Sequence, residues 1–195
     1  MILDHIDNLC IPDDECYGNE VRSLRTLGIG LAFLNAQVAS IEQKVRGTIP
    51  AYVRVFSYGN DPGFAQAMPL IECAFHWYAV SGCNYVGLVG WLAKQIDPGR
   101  PDPKQYVRDL IPAVVTYRNK VAAHFAKASP GDDNLATLDA SVLHSVAFSD
   151  DRFYAGVWRL TQTSQGTRSS SPDMRWSLTK THTELVKRYW PVGNR

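Results

Sequence analysis

The chain has 195 residues, is 45% hydrophobic and 20% charged, and carries a net charge of +1. That is an ordinary globular composition, long enough for one domain with a sizeable core. So small a charge excludes a global positive field for holding nucleic acid, so any nucleic-acid contact must come from a local patch.

The first residues, Met1-Ile2-Leu3-Asp4-His5, lack a basic region ahead of an apolar one, so no secretory leader is expected. Among the cysteines, Cys10, Cys16, Cys73 and Cys83 form no CxxC pair. Cys73 and Cys83 fall within one expected helix, about 15 Å apart by helical rise, too far for a disulfide. A reduced, cytoplasmic chain is the simpler expectation.

The first long helix is expected to begin between Asp13 and Asn19 and to end near Arg46, where Gly47 and Pro50 stop it. Leu24, Leu27, Leu31, Leu34, Val38, Ile41 and Val45 give it one apolar face. Thr48 to Asn60 reads equally as a short strand or an aromatic-rich loop. A second helix is expected from Asp61-Pro62, an acidic cap followed by a first-turn proline, to Ile96. Its stretch from Cys73 to Ala93 has no Asp, Glu, Lys or Arg, roughly the length of a membrane span. It does contain His76, Ser81 and Asn84, with Glu72 and Lys94 close at either end. A bundle centre, apolar on all sides, is the expectation rather than a membrane segment. Ala79, Cys83, Gly87 and Gly90 form a small-residue stripe, for which Ala122, Ala123 and Ala126 are natural partners.

A third helix is expected from Asp102-Pro103 to about Ser129-Pro130-Gly131, kinked at Pro112. Val107, Leu110, Ile111, Val114, Val115, Val121, Ala122 and Phe125 recur at helical spacing along it. Arg118 falls in the middle of that stripe, with Asn119 on one flank and Tyr117 and His124 on the other. A guanidinium on an apolar face is costly unless it is paired or serves a ligand. Glu42 or Glu72 could pair with it inside the bundle. Alternatively, Arg118 and His124, about 9 Å apart along the axis, reach a common cleft beside the helix. Arginine offers phosphate a planar fork of donors, and histidine moves protons near neutral pH. RNA supplies its own nucleophile in the 2′-hydroxyl, so such a site needs no metal and no cofactor. Lys120 points away from the stripe, toward solvent or RNA.

The run Arg118-Asn119-Lys120-Val121-Ala122-Ala123-His124, an Arg-Asn-x4-His pattern, resembles the signature of the HEPN superfamily. The resemblance covers the motif and is compatible with the helices over residues 13–130. It implies an α-helical bundle, usually a homodimer with motifs facing each other across the two-fold axis. It implies metal-independent RNA cleavage leaving a 2′,3′-cyclic phosphate, with Arg118 and His124 the catalytic pair and Asn119 the polar residue after the arginine; beside them, Lys120 is a further expected substrate contact, and Tyr117 is either a substrate contact or a packing residue. Members act in toxin–antitoxin pairs or phage defence; here any antitoxin would be a separate chain. Others are non-catalytic nucleotide- or RNA-binding or interaction modules.

From about Ser145 the period changes. Arg152 to Gln162 and Met174 to Thr179 read as the two arms of a β-hairpin, with Ser164 to Pro172 a polar loop between them. Tyr154, Trp158 and Trp176 there are expected to pack the hairpin over the helices, with base stacking the alternative. Thr181-His182-Thr183-Glu184 has the form of a capping box opening a last helix. Cys73 and His76 make half a zinc site without a second half. The expected fold is mainly α: a bundle of three long helices over residues 1–144, with a small hairpin and final helix over 145–195 packed on it as one domain.

Overall fold

A computed structural model describes residues 17–46, 62–119, 142–163, 166–169 and 174–189. Five helices and four strands lie within them: α1 (Gly18–Val45), α2 (Pro62–Ile96), α3 (Pro103–Leu110), α4 (Pro112–Tyr117), β1 (Val142–Ser149), β2 (Arg152–Thr163), β3 (Gly166–Ser169), β4 (Met174–Trp176) and α5 (Leu178–Tyr189). The fold is mainly helical with a small antiparallel sheet.

α1 buries Leu24, Leu31 and Val38, the seven-residue subset of its apolar face. It lies antiparallel to α2, because Tyr17 packs edge-on against Trp91 at 6.0 Å while a Cβ on Gly82 would lie 3.9 Å from Leu31. By length and composition α1 could cross a membrane. Here its buried residues pack on α2, as in the core of a globular domain.

α2 touches α1 on one side, α3 and α4 on another, and β1. It is central, as its uncharged stretch implies, but not apolar-buried all round: Leu70 and Trp77 are about two-thirds exposed, at 68% and 66%. Its small-residue stripe receives α3. A Cβ on Gly90 would sit 2.8 Å from Tyr106, and one on Gly87 3.5 Å from Val107. Ala122, Ala123 and Ala126, the expected partners, lie outside the described residues.

The third helix is not one kinked rod. Asp102 caps α3, accepting from the Lys104 amide at 2.9 Å. Ile111 then leaves helical geometry (φ −134°, ψ 53°) because Pro112 disfavours a helical residue before it. A separate helix, α4, starts at the proline. The break shifts the phase of the apolar stripe, so that Val114 and Tyr117, at 1% and 2% exposure, hold the buried face of α4.

β2 organises the sheet. It pairs antiparallel with β1 from Arg152 to Arg159, with β3 from Leu160 to Thr163, and with β4 from Ala155 to Val157. β1 and β4 lie on its opposite edges, since Ala155 pairs with both Val146 and Trp176. The two arms expected as a hairpin, β2 and β4, do pair, but β3 intervenes in the chain and pairs with β2 as well, so the element is a small antiparallel sheet. β1, from Val142, begins before the expected change of period, and part of the expected polar loop is strand β3. α5 starts at Leu178, not at Thr181. Ser177 is its cap, accepting from the Lys180 amide at 3.4 Å, so the Thr181–Glu184 pattern lies inside the helix. Val146, Phe148, Phe153, Ala155, Trp176, Leu178 and Leu185 join the same buried cluster as α1 and α2. Thr48 to Asn60, Cys10 and Cys16 lie outside the described residues.

Candidate functional site

α4 ends where the Arg-Asn run begins. The Arg118 amide is shared between the carbonyls of Val114 and Val115, and the backbone widens into a π-type turn over Arg118 and Asn119. Such widened turns are frequent at functional sites. The turn separates three neighbouring side chains by exposure: Tyr117 buried, Arg118 half-buried, Asn119 exposed.

Tyr117 packs edge-on against Trp176 at 5.7 Å and tilts against His76 at 5.5 Å. Burial first, and then the Glu72 carboxylate, push its hydroxyl above the usual phenol range. Arg118 leans back along α2 to Cys83. Burial pushes the Cys83 thiol up, while the charge and hydrogen bond of Arg118 oppose that shift. A thiol is a weak partner for a group with five donors. Among the described residues, no carboxylate pairs with Arg118. The Glu42 carboxylate, one of the two acids that might have neutralised it, is engaged elsewhere. Its Oε1 accepts from the Phe153 amide at 2.9 Å and the Thr179 hydroxyl at 3.3 Å. Glu72, the other, is exposed. Lys120 and His124 lie outside the described residues.

No cluster of three or more metal-ligating side chains occurs among the described residues. Cys73 is exposed, and His76 donates through Nδ1 to the Glu72 carbonyl at 2.6 Å, a bond within its own helix. Compared with family models, curated proteins and solved structures, the chain gives no match.

Two features lie beyond the sequence reading. The Tyr78 hydroxyl and Nδ1 of His182 share a hydrogen bond of 3.1 Å across 104 positions of chain. Burial lowers the His182 pKa to about 4, so the ring is neutral near pH 7. Nothing local in the sequence links His182 to α2. The second feature is a cavity of about 550 Å³ between the α3–α4 corner, β4 and α5. Its apolar side includes Ile111, Pro112 and Trp176, and its rim includes Arg175, Lys180, Glu184 and Lys187. Arg118 does not line it. Nothing local in the sequence places the charges of α5 over a cavity made by distant residues.

Proposed function

We propose that this chain is a metal-independent endoribonuclease of HEPN type, acting in the cytoplasm as a homodimer. Arg118 carries the reading. It is a half-buried guanidinium at a widened helix end, facing a weak sulfur partner and no carboxylate among the described residues, and flanked by the exposed amide of Asn119. Such a group has donors to give to a phosphate. In the proposed reaction His124 takes the proton from a ribose 2′-hydroxyl. The 2′-oxygen bonds to phosphorus, and the bond to the 5′-oxygen breaks, that oxygen taking a proton from water. Arg118 stabilises the charge on the phosphorane-like transition state. Asn119 and Lys120 hold substrate, and Tyr117, packed on Trp176, fixes the turn that aims them. The products are a 2′,3′-cyclic phosphate and a 5′-hydroxyl.

Support for a second copy comes from α2, where Leu70, Trp77, Asn84 and Trp91 form an exposed row at seven-residue spacing. A row of that period suits pairing of two helices. A toxin or phage-defence role, with an antitoxin as a separate chain, follows from the same resemblance.

The test is incubation of purified protein with mixed RNA in EDTA, with product ends mapped. We expect cyclic-phosphate ends from the wild type. Arg118→Ala and His124→Ala should each lower the rate by about a hundredfold or more. Nucleotide or RNA binding that depends on Arg118 but yields no product would reassign the chain to the non-catalytic HEPN-like modules.

A further inference from the structure

Apart from Arg118, the cavity beside α5 has the makings of a ligand site. Its volume, about 550 Å³, is that of a small-molecule pocket. One wall is apolar, built where Pro112 breaks the helix and turns Ile111 and Ala113 toward β4. The opposite wall is the start of α5, through Ser177, Lys180 and Thr181. The first turn of α5 holds no acidic residue of its own, and on its buried side Thr179 donates to the Glu42 carboxylate at 3.3 Å.

The rim charges are not equivalent. Arg175 is tied to Asp150 at 3.9 Å and lies 3.7 Å over the Tyr154 ring, and Lys187 pairs with Glu184 at 3.2 Å. Lys180 is exposed and has no ion pair among the described residues. A second observation comes from the floor. Trp176 is only 4% exposed, yet its indole N–H has no hydrogen-bond partner among the described residues. That nitrogen is itself sealed from solvent, so the floor offers a ligand apolar contact through the indole ring.

We propose that this cavity binds a small organic anion. Its carboxylate or phosphate head meets Lys180 and the first turn of α5, and its apolar body lies against Ile111, Pro112 and Trp176. The rim cations, Lys180 foremost, select the negative head. The apolar wall selects against a bare inorganic ion.

Calorimetric titration of the full chain tests this with four probes: 1-naphthoate, 1-naphthyl phosphate, the neutral 1-naphthylmethanol and inorganic phosphate. We expect at least one aromatic anion to bind with one-to-one stoichiometry. The neutral analogue and inorganic phosphate should bind about tenfold more weakly or less, the worth of one charge-assisted contact. The better of the two aromatic anions identifies the head group. Lys180→Glu should weaken that anion by about tenfold, and Ala113→Phe, which fills the cavity, should abolish binding. If Ala113→Phe melts below the wild type, the exposed Lys180→Glu decides alone. Equal binding of the neutral analogue, indifference to Lys180→Glu, or no binding by any aromatic anion would overturn the proposal.

Discussion

Glu42 lies in the interior, where desolvation raises its pKa above the ordinary 4.5 against the opposing pull of the Phe153 amide, Thr179, Arg152 and Arg46. The folded state therefore favours its proton, and the stability linked to it is full below pH 4.5 and is lost as pH rises through the raised value. His182 works the other way. Its pKa falls from 6.5 to about 4, so the unfolded chain takes up the proton first as the solution is acidified. From pH 6.5 down to about 4 that loss is worth about 3 kcal/mol. We expect Glu42→Gln to remove the part of the fall in stability that begins above pH 4.5, and His182→Gln the part that begins below pH 6.5, both read from urea midpoints across pH. A wild-type profile unchanged by either substitution would contradict the burial of these two groups. Neither was legible in the sequence. Each owes its environment to partners more than a hundred positions away, Phe153 for Glu42 and Tyr78 for His182.

Among the elements, the helices were legible because their signals are local. The Asp102-Pro103 start, the stop after Val45 and the seven-residue run of Leu24, Leu31 and Val38 all act within a few turns. The β1–β2 turn was not. Asp150 and Asp151 both have positive φ, 51° and 60°, the geometry of a two-residue hairpin turn that usually calls for Asn-Gly. Ion pairs from outside the turn, Arg46 to Asp151 at 3.6 Å and Arg175 to Asp150 at 3.9 Å, help hold it. The start of α5 was misplaced for a related reason. Leu178 is fully buried, and that burial draws the helix start back to Ser177, overriding the capping pattern at Thr181. The glycines offer a direct comparison at this scale. Gly90→Ala would press a methyl against Tyr106 and should cost about 1–3 kcal/mol. Gly30→Ala, exposed in mid-α1 with nothing within 4 Å, should stabilise by roughly 0.5–1 kcal/mol. Equal shifts in the two denaturation curves would contradict the close packing of α3 on α2.

For the whole molecule, sheet and helices share one core through Trp176, which packs against Phe75, Tyr78 and Tyr117 at 4.8, 6.0 and 5.7 Å. The turn bearing Arg118 is therefore braced by the C-terminal segment as well as by α2. The conflict at Arg118 was visible in the sequence as a charge on an apolar face. The way it is eased, by the break at Ile111 and the widened turn, depends on Pro112 and on tertiary packing. The central claim is that this guanidinium is held for a phosphate and not for the fold. Arg118→Met, similar in volume and without charge, separates the two most directly when RNA cleavage in EDTA is measured on samples of matched folded fraction. We expect cleavage to fall by about a hundredfold or more while thermal stability is unchanged or higher. An Arg118→Met variant that cleaves RNA at the wild-type rate would contradict the claim.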